Sequence, residues 1–71
     1  MEEKSIKMWV ATDEDGDIFI YENKPERDEQ EVFAWYNNSG RFEFIEQRFL
    51  PFPAPTWEDE PIEVEITIKK V

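Results

Sequence analysis

The sequence predicts a mainly β protein: a small antiparallel sheet of four to five strands with at most one short helical turn. Three observations carry this. Over residues 62–68, Ile62, Val64, Ile66 and Ile68 alternate with Glu63, Glu65 and Thr67. That is the period-two pattern of a strand with one apolar face, and β-branched residues fill every apolar position. Near the start, two apolar runs flank Asp13-Glu14-Asp15-Gly16, where glycine offers the positive φ that tight hairpin turns need. Finally, aromatic residues make up 15% of the chain, which lets a short sequence cover enough apolar surface to fold despite being 37% charged.

Residues 7–12 read as the first strand and residues 17–21 as the second, closing a hairpin. Ile18 and Ile20 fall on one face of the second strand, Phe19 and Tyr21 on the other, so both faces of the sheet carry apolar groups. Residues 23–28 read as a polar loop. Residues 32–36, Val-Phe-Ala-Trp-Tyr, fit either a strand or the end of a helix starting near Pro25. Aromatic dominance favours the strand, as does the turn-forming Asn37-Asn38-Ser39-Gly40 that leads into a fourth strand at residues 41–45. One helical turn is expected at residues 46–50. Pro51, Pro53 and Pro55 then impose an extended path. Thr56-Trp57-Glu58-Asp59 has the Thr-x-x-Asp spacing of a capping box, and Pro61, which has no N–H, suits the entry of the last strand. Trp57 and the prolines before it are expected to lie as a flap against the sheet. The apolar face of the last strand is expected to be buried.

Seventy-one residues make one domain, residues 1–71. A chain of this size buries only about 60% of the surface its unfolded form exposes, so modest stability is expected. The composition excludes several chemistries. With no cysteine there is no disulfide and no thiol nucleophile, and with no histidine the commonest general base is missing. Two glycines cannot build a glycine-rich phosphate loop, and Ser5 and Ser39 have no triad partner. Asp13-x-Asp15-x-Asp17 has the opening spacing of a calcium loop. The pattern then fails, with Ile18 where glycine is needed and Lys24 where glutamate is needed. No catalytic, cofactor-binding or metal site is therefore expected, and no enzyme activity. Absence of cysteine, of any apolar run long enough for a membrane span, and of a signal-like start leads to the expectation of a cytoplasmic protein.

The net charge is −10 and unevenly placed. Residues 13–31 hold nine acids against two bases, and residues 58–65 hold five acids and no base. The candidate interaction surface is therefore Asp13, Glu14, Asp15, Asp17, Glu58, Asp59, Glu60, Glu63 and Glu65. Such a surface repels nucleic acid and anionic lipid and attracts a basic protein partner. The same charges could serve solubility alone. Two other readings stand beside the acidic interaction protein: a DNA mimic whose carboxylates imitate phosphates, and a small enzyme or cation-binding domain.

Trp9-Val10-Ala11, Asp13-Glu14-Asp15-Gly16, Lys24-Pro25-Glu26-Arg27, Phe52-Pro53 and above all Thr56-Trp57-Glu58-Asp59-Glu60-Pro61 carry a resemblance. They resemble a family of small uncharacterised proteins encoded by phages and mobile elements of gut bacteria. Residues 28–50 depart from that pattern. The family has no assigned activity, so the resemblance transfers no residue role. It implies an accessory protein that acts on a host protein.

Overall fold

The computed structural model describes residues 3–28, 34–36 and 40–71. It is mainly β, with strands β1 (Glu3–Thr12), β2 (Ile18–Tyr21), β3 (Glu26–Asp28), β4 (Ala34–Tyr36), β5 (Phe42–Phe44) and β6 (Ile62–Lys69), and one 3-10 turn at Gln47–Phe49. Four strands form an antiparallel sheet in the order β5-β2-β1-β6, and β3 and β4 form a separate two-stranded ribbon. No helix among the described residues is long and apolar enough to cross a membrane.

The first hairpin follows directly from its turn residues. Gly16 N–H donates to Asp13 O at 2.9 Å, and Gly16 takes φ +96°, the left-handed step that ends a three-residue hairpin loop. Asp13 N–H closes the loop on Asp17 O at 2.9 Å, and Asp15 Oδ1 accepts from Asp17 N–H at 2.9 Å. The strands then pair Thr12 with Ile18, Ala11 with Phe19 and Trp9 with Tyr21.

This register sorts the side chains into two faces, because residues directly opposite in an antiparallel pair share a face. One face carries Trp9, Ala11, Phe19, Tyr21, Phe42 and Phe44, followed along β6 by Glu63, Glu65, Thr67 and Lys69. The other carries Ile6, Met8, Val10, Thr12, Ile18, Ile20 and the four apolar residues of β6. The core lies on the aromatic face near the hairpin turn. Ala11, Tyr21 and Trp35 are buried there, with Trp9, Phe19 and Trp57 packed against them. Val10 on the opposite face is fully buried.

Three features differ from the sequence expectation. Residues 26–28, expected in a loop, form β3 and pair with β4. The strand at 42–44 does not hairpin with the one before it: β5 pairs with β2, placing Phe44 opposite Phe19 and Phe42 opposite Tyr21. The expected turn residues Asn37, Asn38 and Ser39, and Val32 and Phe33 of the expected third strand, lie outside the described residues. On the aromatic face Tyr21 is buried, and the rings left exposed there are Phe42 (54%) and Phe44 (58%) on the edge strand. The apolar face of β6 is only half covered. Ile62, Val64 and Ile66 are half-buried and Ile68 is 69% exposed; β2 pairs only with residues 9–12 of β1, and among the described residues no strand continues the sheet beyond that.

The connection from β5 to β6 joins the two edges of the sheet at its hairpin-turn end. Ile45 N–H donates to Ile18 O at 3.0 Å on one edge, and Ile62 enters opposite Val10 on the other. Gln47 holds the proline run in place, its Nε2 donating to Phe52 O and its Oε1 accepting from Ala54 N–H, both at 2.8 Å. Pro55 and Pro61 are buried.

Candidate functional site

Two turns meet at this end of the sheet, the hairpin turn at 13–17 and a turn at 56–59. In the second, Asp59 N–H donates to Thr56 O at 3.1 Å. The Asp59 carboxylate reaches back to accept from Thr56 N–H at 2.8 Å and from its hydroxyl at 3.1 Å. That is the reciprocal bond of a capping box, used here to lock one turn.

Trp35 and Arg27 bring the turns together. The Trp35 indole N–H donates to Thr12 O at 2.9 Å, and its backbone N–H donates to Asp13 Oδ1 at 3.0 Å, so β4 is fastened onto the hairpin. Trp57 meets Trp35 edge-on with centroids 5.8 Å apart. The Arg27 guanidinium lies 4.7 Å from the Trp35 ring centre and 5.1 Å from that of Trp57. Its Nη2 donates to Trp57 O at 2.8 Å and to Asp59 O at 2.9 Å. A planar cation with forked donors is the one side chain that can face two indoles and bind two carbonyls together.

Beside this clasp runs a groove of about 500 Å³. Ile18, Ala54, Pro55 and Trp57 give it apolar and aromatic walls, and Thr12 and the acidic residues Asp13, Glu14 and Glu58 are also in its lining. Burial pushes the Asp13 carboxyl above its ordinary range. The charges of Asp15 and Asp17 push the same way, and the hydrogen bond from Trp35 N–H opposes them.

The nine acids singled out from the sequence thus separate into groups. Asp13, Glu14 and Glu58 meet at the groove. The Asp15 carboxylate binds the backbone of the hairpin turn, and Asp17 closes that turn through its own backbone. Asp59 holds the second turn, and Glu60 lies 4.0 Å from Arg27 Nη2. Glu63 and Glu65 leave the site along β6, opposite Trp9 and Lys7. Among the described residues no cluster of three or more acids is placed to hold a metal ion.

Arg27 and Trp35 were not legible as site residues. The one signal in the sequence was that residues 13–31 hold only two cations, Lys24 and Arg27, among nine acids. The structure defines a small antiparallel β protein with an acid-rimmed groove beside a Trp–Arg–Trp clasp. Compared with protein-family models, with curated proteins and with solved structures, the chain matches none.

Proposed function

We propose that this protein is a non-enzymatic binding module that takes a basic side chain of a protein partner into the groove between its two turns. The observation that carries this reading is that three acidic residues, Asp13, Glu14 and Glu58, share the lining of a groove walled by Trp57, Pro55 and Ile18. Lysine and arginine have the matching form: an apolar stem that lies along an apolar wall and a charged head that reaches a carboxylate. A carboxyl whose ionisation is opposed by burial and by like charges, as at Asp13, gains from an incoming cation. The net charge of −10 steers a basic partner toward the molecule from a distance. The resemblance to phage and mobile-element proteins fits an accessory role of this kind.

An NMR titration of the labelled protein with an arginine-rich peptide tests the reading, with an acidic peptide of equal length as control. Saturable shifts are expected at Asp13, Glu14, Glu58 and the Trp57 indole, with none from the acidic peptide. Shifts spread evenly over all exposed acids, or confined to Phe42 and Phe44, would overturn it.

A further inference from the structure

β6 is an edge strand eight residues long, and among the described residues no strand pairs with its outer side. Natural edges of this length are usually shortened, bulged or covered, because their free backbone groups invite another strand. The ribbon that β6 forms with β1 also runs on beyond β2, which pairs only with residues 9–12 of β1. One face of that extension is polar, with Ser5 Oγ and Thr67 Oγ1 2.8 Å apart, and Lys7 opposite Glu65. The other face leaves Ile6 41% and Ile68 69% exposed. A two-stranded ribbon with one open apolar face is marginal alone in water.

We infer that β6 pairs antiparallel with β6 of a second copy of this chain, about a twofold axis at Ile66. The amino-acid sequence of the strand selects this register. Centred on Ile66, the pairing sets Val64 against Ile68, Glu65 against Thr67 and Glu63 against Lys69, each twice by symmetry. Both Glu63–Lys69 pairs are then attractive, and the apolar residues form one continuous row. A register centred on Glu65 faces that residue with its own copy. One centred on Thr67 places Val64 against Lys70 and Glu63 against Val71, whereas the Ile66 register sets only Ile62, at the strand's entry, against Lys70 and keeps both Glu63–Lys69 pairs. The net charge of −10 on each copy opposes assembly, but the charge near the seam does not. The ribbon end holds Lys4, Lys7, Lys69 and Lys70, four of the five lysines in the sequence. Antiparallel pairing also sends the two acidic turn ends in opposite directions. The result is an eight-stranded sheet in the order β5-β2-β1-β6-β6-β1-β2-β5, with the grooves at its far corners.

Sedimentation of the full chain across a concentration series tests this, using the single variants Glu63→Lys and Lys69→Glu. The wild type is expected to rise from the 8.6 kDa of one chain to twice that mass. Each variant alone places like charges opposite one another twice and is expected to stay a monomer. An equimolar mixture of the two restores both attractive pairs and is expected to form a heterodimer. Circular dichroism of each variant separates lost pairing from lost folding. A wild type that stays monomeric overturns the inference. So does a dimer indifferent to both variants, or a mixture that does not associate.

Discussion

Replacing Arg27 with methionine tests what holds the two turns together. Methionine keeps an unbranched apolar stem between the two indoles and removes the forked cation. Lost with it are the hydrogen bonds to Trp57 O and Asp59 O, at 2.8 and 2.9 Å, and the guanidinium contacts with Trp35 and Trp57. Hydrogen bonds to a charged donor contribute about 1.5–3 kcal/mol each. Cation–π contacts at part-exposed sites contribute about 0.5–1 kcal/mol each. The simple sum overstates the cost, because Asp59 is exposed and its carbonyl can bond water once the guanidinium is gone. The Glu60 pair adds little, at 4.0 Å with a carboxylate side chain 79% exposed. A net loss of about 2–3 kcal/mol is expected, against a total stability of roughly 4–10 kcal/mol for a chain of this length. Urea denaturation followed by tryptophan fluorescence reads this directly, since Trp35 and Trp57 report on the clasp. With a slope of about 1 kcal/mol per molar urea for so small a domain, the midpoint should fall by about 2–3 M. Arg27→Lys, which keeps the charge but not the planar fork, should fall between the two. A midpoint for Arg27→Met equal to that of the wild type would refute the claim that this residue joins the turns.

Asp13 gives a pH signature. Its carboxyl is raised above 3.8 in the folded protein, so the folded state binds the proton more tightly than the unfolded chain. Its contribution to stability is fully present below 3.8 and is lost as pH rises through the folded value. Asp13→Asn, whose amide oxygen can still accept from Trp35 N–H, should therefore melt higher than wild type at pH 7 and lose that advantage in acid; equal melting at pH 7 would contradict this. Burial and the nearby Asp13 charge raise Tyr21 from 10.0 to about 12, so this ring should withhold its proton while the fold persists and stability should drop between those values. Tyrosinate absorbance measured against pH checks this, and full ionisation of both tyrosines near pH 10 in folded protein would count against it. Gly16→Ala should cost about 1 kcal/mol through backbone strain alone, since φ is +96° and nothing lies within 4 Å of an added Cβ. Gly16→Asn should recover part of that in the same thermal melt, asparagine tolerating the left-handed region.

The strands that sequence made legible are those whose signal is local. Alternation marked β6, and Gly16 between two apolar runs marked the first hairpin, because turn chemistry and face periodicity act within a few residues. The capping-box spacing at Thr56 and Asp59 was likewise a local pattern that the structure uses. What escaped was non-local. A strand of three residues such as β3 or β5 has no measurable period, and the pairing of β5 with β2 depends on where the intervening β3–β4 ribbon folds. That ribbon is placed by Trp35 bonding Thr12 and Asp13, a contact across more than twenty residues. Alternation also identifies which face of β6 is apolar without saying what covers it. Val64 is half-buried, so Val64→Asp is less costly than burial of a carboxylate in a closed core would be. At the site, charge density named nine acids but could not tell the three at the groove from those bonded to their own turns.

The central claim is that the groove, and not the overall negative charge, holds the partner. Two double variants with the same change in net charge, from −10 to −8, separate these. Glu14→Gln with Glu58→Gln removes charge at the groove, and Glu43→Gln with Glu65→Gln removes it from β5 and β6. Affinity for an arginine-rich peptide is measured by calorimetry for both, at low and at physiological salt. Wild-type binding should weaken with salt, since exposed charges are screened beyond about 8 Å at physiological ionic strength. The account predicts that the groove variant loses about tenfold or more, equivalent to about 1.4 kcal/mol, while the β5–β6 variant stays near wild type at matched salt. Equal losses in the two variants would contradict it and leave net charge alone as the source of binding.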